Sequence, residues 1–193
     1  MIVREIAPGE NRETRSRIAE VALRLIADHG YAATSTREIA ARLGFTKAAL
    51  YYHFRTKDDL LAAIVEPVVA DLASLVGGGE PQRSPSARRR AVGGYVDLVV
   101  AHADLVRVLA NDPAVRGCPA LTAAFPLYRR LSQFLAGTES LDAVQRTRVR
   151  AALGAVHAAI LRAGPDEDRD QVRAATLAAA CGALGIAPPH PAA

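Results

Sequence analysis

A chain of 193 residues is long enough to bury a proper core; half of it is hydrophobic, but much of that half is alanine, aromatics reach only 5% and tryptophan is absent. The formal charge of +4 permits a polyanionic partner without requiring one. Cys118 and Cys181 are far apart, with no CxxC spacing and no histidine cluster beside them, so neither a zinc site nor a disulfide scaffold is indicated. No uncharged apolar run approaches a membrane span, and Arg4 and Glu5 interrupt what a secretory leader would need. The expectation is a cytoplasmic protein without metal or cofactor, away from any membrane.

Alanine, leucine and arginine favour helix, and no strand alternation or internal repeat is visible, so the fold expected is all-α. From Thr14 to Gly30, Ile18, Val21, Ala22, Leu25 and Ile26 recur at helical spacing and Gly30 closes the run. Ser35 is placed to cap a second helix, Thr36 to Leu43, with Glu38 reaching back to the Ser35 amide as a reciprocal capping box. Gly44 ends it and Phe45 fills the turn. Thr46 caps a third helix through Lys47 to His53, with Leu50 and Phe54 pointing inward. Thr56 opens a fourth, with Asp58 and Asp59 in its first turn and Leu60, Leu61, Ile64, Val68 and Leu72 on its apolar side.

The stretch from Gly77 to Ser86 reads as a loop. Four helical patterns follow, at Ala87 to Asn111, Pro119 to Gly137, Leu141 to Ala163 and Asp168 to Leu184. The expected division is an N-terminal three-helix domain at 12–57 and a C-terminal helical domain at 58–185, with flexible ends at 1–11 and 186–193.

Two helices joined by a tight glycine turn, the second short and capped, form the helix-turn-helix layout that sets its second helix in a DNA major groove. With Leu50 and Phe54 turned inward, Lys47, Ala48, Tyr51 and Tyr52 face outward. Cations gather at Arg37, Arg42, Lys47, Arg55 and Lys57 and can release counterions from phosphates. Lys47 is suited to guanine O6 or N7, Ala48 to a thymine methyl, and Tyr52 to either kind of contact. A solvated helical hairpin with no DNA partner is the plain alternative.

The run TSTREIAARLGFTKAALYYHFRTKDDLL resembles the DNA-binding segment of the TetR family of bacterial repressors, over about Ile18 to Ile64, with LYYHFxxKxxL its most specific part. The resemblance implies that Tyr51, His53 and Lys57 hold phosphates and that Thr36, Arg37, Thr46, Lys47, Ala48 and Tyr52 lie near bases or backbone. Ala48 stands where that family often has glycine and Phe45 where valine is common, departures that bear on operator sequence more than on fold.

In the last two helical patterns, Ala152, Ala155 and Ala159 and then Ala175 and Ala178 form small-residue faces that allow close approach. Periodicity leaves open whether these faces pack within one subunit or against a second copy; the resemblance favours a homodimer. The middle helices offer a pocket, with Val99, Leu105 and Phe125 as lining, Leu131 and Phe134 beside them, and His102, Tyr128 and His157 as polar anchors, each of which is equally readable as ordinary packing. The resemblance implies a ligand-responsive repressor that binds a pseudo-palindromic operator as a dimer and leaves it when a small molecule binds, the fourth helix acting as lever. The alternatives are a ligand-independent or activating regulator, or a helical carrier or enzyme with an incidental hairpin. No paired carboxylates, nucleophile elbow, phosphate loop or HExxH spacing is present, so no catalytic activity is expected.

Overall fold

The structure, a computed structural model, describes residues 8–164 and 166–187, with side chains from Asn11 onward. Among these residues the chain is all-helical, with helices α1 (Pro8–His29), α2 (Thr36–Leu43), α3 (Lys47–His53), α4 (Lys57–Val76), α5 (Pro85–Ala101), α6 (Ala103–Asn111), α7 (Pro113–Arg116), α8 (Ala124–Ala136), α9 (Ala143–Arg162) and α10 (Arg169–Ala183). A 3-10 turn, Pro119–Ala123, precedes α8.

Two compact units divide the described chain. The first holds the residues up to Pro67 together with Arg107–Thr122; the second holds Val68–Val106 and the chain from Ala123 on. Helix α4 therefore contributes to both, and the division falls at Pro67, which lies inside the helix. A proline there has no N–H to give the carbonyl of Ala63, so the backbone ladder loses one rung at that point.

In the first unit Ile18, Ala22, Leu25, Ile26, Ile39, Ala40, Leu50, Phe54, Leu60, Leu61 and Ile64 are buried. These are the inward positions of the periodic pattern, and burying each large aliphatic side chain is worth about 1.5–3 kcal/mol. Packing of α1 on α2 and of α2 on α3 closes this core. The second unit is built on α5, which packs on α8, α9 and α10, while α9 and α10 pack on each other. Its core includes Leu72, Val76, Val92, Tyr95, Val96, Val99, Leu131, Leu135, Val149, Ala152, Val156, Ile160, Ala180, Cys181 and Leu184.

Several helix limits differ from the sequence reading. Helix α1 starts at Pro8, six residues earlier than the periodicity shows, and Ile186 is packed in the core, so order extends past both expected ends; residues 1–7 and 188–193 of those ends lie outside the described residues. Helix α5 begins at Pro85, inside the expected loop, because Ser84 caps it and a proline in the first turn forfeits no hydrogen bond. The helix expected from Ala87 to Asn111 is broken at His102, whose backbone leaves helical geometry while its ring reaches Asp71 Oδ2 at 2.7 Å. The one expected from Pro119 starts as a 3-10 turn. Pro126 explains this, since it is tolerated in the first turn of α8 but would cost an interior bond in a helix begun at 119.

Gly44, which closes α2, has φ of 70°, and an added Cβ there would meet no other atom. Gly44→Ala should therefore show the conformational cost alone, about 1–2 kcal/mol, as a lowered urea midpoint with an unchanged m-value.

Candidate nucleic-acid interface

The helix-turn-helix is fixed by local hydrogen bonds. The Ser35 hydroxyl accepts from the Glu38 amide at 3.1 Å, capping α2, and the Thr46 hydroxyl accepts from the Ala49 amide at 3.1 Å, capping α3. In the turn the Phe45 amide donates to the Ala40 carbonyl at 2.8 Å. The reciprocal half of the capping box expected at Ser35 is not the partner that Glu38 takes; its carboxylate lies 3.2 Å from His29 Nδ1 on α1. A reciprocal box does form two helices later, at the start of α4: the Asp59 amide donates to the Thr56 hydroxyl at 3.0 Å, and the Thr56 amide donates to the Asp59 carboxylate at 2.9 Å.

Helix α3 buries Leu50 completely, and Phe54, just beyond it, is only 2% exposed. With those two side chains beneath, Thr46, Lys47, Ala48, Tyr51 and Tyr52 are exposed, Tyr52 at 69%. The Lys47 ammonium lies 5.5 Å from the centre of the Tyr51 ring, so cation and aromatic share one patch. Arg37 on α2 is exposed and Thr36 half-buried.

His53 and Lys57 are different, because each is already engaged inside the first unit. His53 Nδ1 lies 3.0 Å from Asn11 Oδ1, and its carbonyl accepts from Arg15, whose guanidinium sits 4.2 Å over the Phe54 ring. With Nδ1 donating to the Asn11 oxygen, neutral His53 retains only a lone pair on Nε2 and offers a phosphate a hydrogen bond only when protonated. Burial, then the Arg15 charge, hold its pKa below the ordinary imidazole value. The Lys57 ammonium donates to the Tyr31 carbonyl and lies 4.0 Å from the centre of the Tyr31 ring. Burial lowers its pKa, opposed by Asp112 and Asp58.

Asn11, Arg15 and Tyr31 were not singled out by the sequence. Asn11 and Arg15 are four apart and so share a face of α1, a signal that was present; nothing local marks Tyr31.

The residues expected to line a pocket are not gathered into one. Val99 is in the core of the second unit, Leu105 is buried, and His102 is bound to Asp71. Phe125 is 70% exposed, which corrects its expected place as pocket lining: it lies in the first turn of α8, and the buried positions of that helix are Ala124, Leu131 and Leu135. His157 meets a residue the sequence reading passed over, while Tyr128 is exposed on α8. The buried Tyr95 hydroxyl is 2.7 Å from His157 Nε2. Burial holds the Tyr95 hydroxyl well above, and the His157 ring below, their ordinary pKa values. A separate cavity of 230 Å³ is lined by Leu75, Gly78, Glu80, Gln82, Ala87, Arg90, Ala91 and Phe134.

Of the small residues expected at a dimer face, Ala152 is only 2% exposed in its own subunit core, which removes it from any external face. It is on the same side of α9 as Val149, Val156 and Ile160, the stripe that meets the core. Ala155 and Ala159 are half-buried, and Ala175 and Ala178 are exposed.

The lowered pKa of His53 makes a pH prediction with a definite sign. The unfolded chain binds that proton more readily, so its contribution to stability is intact above the ordinary value of 6.5 and is lost as pH falls through it toward the folded value. Urea unfolding between pH 7.5 and 5 should show a steeper loss for the wild type than for His53→Gln; parallel curves would contradict the assignment.

Residues 18–64 match the profile of the family described as bacterial regulatory proteins, tetR family. Over 66 residues the chain is 42% identical to the HTH-type transcriptional regulator AcrR of Shigella flexneri, covering 34% of this chain and 31% of that protein. Over 74 residues it is 35% identical to the HTH-type transcriptional repressor Rv3405c of Mycobacterium tuberculosis, covering 38% and 39%. The matched stretch thus spans about a third of these relatives' own length. The fold is similar to that of a TetR-like transcriptional regulator from Rhodococcus sp. RHA1, with a TM-score of 0.69 at 22% identity over 94% of this chain and 99% of the other. It is also similar to the TetR family regulator PfmR from Thermus thermophilus, with a TM-score of 0.67 at 23% identity over 88% and 97%. The capped helix-turn-helix and the family match agree over residues 18–64, which carry the N-terminal segment of that family, and the chain as a whole is similar in fold to these two regulators.

Proposed function

We propose that this protein is a DNA-binding transcriptional repressor that works as a cytoplasmic homodimer and is released from its operator by a small molecule. The observation that carries the reading is the outward face of α3, where Lys47, Ala48, Tyr51 and Tyr52 are exposed over a buried Leu50 and Phe54. Cations and hydroxyls left exposed in the free protein are what a polyanionic groove can engage. In this reading Tyr51 and Lys57 anchor phosphates, with Thr36, Arg37 and Thr46 at the edge of the groove. Lys47 reads guanine, while Ala48 and Tyr52 touch neighbouring bases. His53 acts first as a positioning group, bound to Asn11 and Arg15, and contacts phosphate when protonated.

The dimer is proposed to form through the outer faces of α9 and α10. Ala175, Ala178 and Gly182 on α10 and Gly154 and Ala158 on α9 are exposed, and side chains this small let helices from a second copy approach closely. Half-buried Ala155 and Ala159 flank that surface, and Ala152 is excluded from it. Two heads presented by a two-fold dimer would engage major grooves about 34 Å apart. The small molecule is assigned to the second unit, where Tyr95 and His157 supply a hydroxyl and an imidazole in an otherwise apolar core and Tyr128 is exposed on α8. It must bind the non-operator state more tightly for release to follow, with α4, shared by the two units, as the lever. Binding without a ligand response, or activation in place of repression, uses the same head and differs only in what the second unit does.

Selection from a randomised duplex pool followed by gel-shift titration at several salt concentrations tests the reading; absence of a specific, salt-sensitive complex would remove it. Lys47→Ala should lose about 1–3 kcal/mol of discrimination at one base pair per half-site. Tyr51→Phe should weaken binding to many sequences alike. In the free protein, Ala178→Arg should convert dimer to monomer by sedimentation without altering the helical signal.

A further inference from the structure

Helix α1 ends at Gly30 with φ of 85°, and the chain turns into Tyr31, which is fastened at every polar group it has. Its amide donates to Asp112 Oδ2 at 2.7 Å, its hydroxyl donates to Asp58 Oδ1 at 2.7 Å, and its carbonyl accepts from Lys57. The same ammonium rests on its ring. Three of these four contacts tie Tyr31 to the first turn of α4. The other comes from a residue 81 positions away in sequence, outside the family match and at the junction of α6 and α7, yet in the same compact unit.

Asp112 has little freedom in this. Its Oδ1 accepts from the amides of Ala114 at 3.0 Å and Val115 at 3.4 Å, capping α7, while Oδ2 takes the Tyr31 amide. Val115 is fully buried and Cys118 nearly so, which pins the segment that carries the carboxylate. A hydrogen bond from a neutral amide to an ionised carboxylate is about twice as strong as a neutral pair. The Tyr31 amide is also the leading reason that the Asp112 carboxyl is held below its ordinary range, followed among the lowering effects by its cap bonds and by Lys57.

We infer that Asp112 is a positioning residue for DNA binding: it holds Tyr31, and Tyr31 in turn sets the Lys57 ammonium at the end of the helix-turn-helix where a phosphate would be met. This rests on the DNA-binding reading above and adds to it that a carboxylate in Arg107–Thr122 controls part of the grip. Residues beyond the helix-turn-helix thereby act on operator affinity through a single amide, without touching DNA. The carboxylate would repel a phosphate directly, so its contribution has to be made through the groups it holds.

The test uses the full chain, a duplex selected by the wild type from a randomised pool, and the variants Asp112→Asn, Lys57→Met and their combination. Asparagine keeps an oxygen to cap α7 but turns an NH2, which can only donate, toward the Tyr31 amide, so α7 survives the change while the Tyr31 bond and the charge are lost. Asp112→Asn should weaken operator binding by about tenfold in the wild-type background and by less than about twofold once Lys57 is methionine, because the two act in series. In the free protein the Tyr31 amide should exchange with solvent about tenfold faster while the α9 amides are unchanged. Equal losses in both backgrounds, or an unaltered Tyr31 amide, would overturn the inference while leaving the DNA-binding reading in place. A wild type that selects no duplex would remove that reading and this inference with it.

Discussion

Leu50 and Phe54 are four residues apart, and their burial decides where the other side chains of α3 point. A seven-residue helix is too short to be stable alone, since nucleation consumes most of what its few hydrogen bonds return. It persists because the Thr46 cap and these two apolar anchors tie it to the rest of the head. Removing either side chain from the core would free the helix to roll, and the face carrying Lys47, Tyr51 and Tyr52 would lose its direction. The exposure of Tyr52 is thus a consequence of what lies under the helix.

Around that anchor the polar groups divide into two classes with different energetic standing. Lys47, Tyr51 and Arg37 are solvated in the free protein, so engaging a phosphate or a base costs them little prior structure. His53 and Lys57 already have internal partners, in Asn11 and Arg15 for one and Tyr31 for the other. The first class suits recognition; the second makes the end of the helix-turn-helix stiff and links it to α1 and α4. Histidine and lysine at these places serve the interior of the head before they serve anything outside it, which is also why burial is the leading influence on both pKa values.

The second unit shows the same economy with smaller side chains. α9 turns Val149, Ala152, Val156 and Ile160 to the core and leaves Gly154 and Ala158 outside, so one alanine is packing material and another, six residues on, is surface. Small side chains thus stand on both sides of the helix, inward toward α5 and α10 and outward on the exposed face. The Tyr95 and His157 pair sits among these apolar layers as a satisfied hydrogen bond, the only form in which such groups are inexpensive to bury.

By itself the sequence determined α2 and α3 residue by residue, because their limits depend on local chemistry: Ser35 and Thr46 as caps, Gly44 for a left-handed residue, Leu50 and Phe54 at helical spacing. It also carried the outward residues of α3, which follow once the inward ones are known. Tertiary structure decided everything that depends on a partner distant in the chain. It broke the long helical pattern at His102, where Asp71 takes the ring. It turned Glu38 from Ser35 toward His29, and it drew Ala152 inward while leaving Phe125 in solvent. It also set Asp112 on the Tyr31 amide. The reason is physical: caps and turns are settled within about four residues along the chain, whereas the choice of partner for a charge, and of the buried face for a helix that is apolar on more than one side, is made only when other elements compete for it.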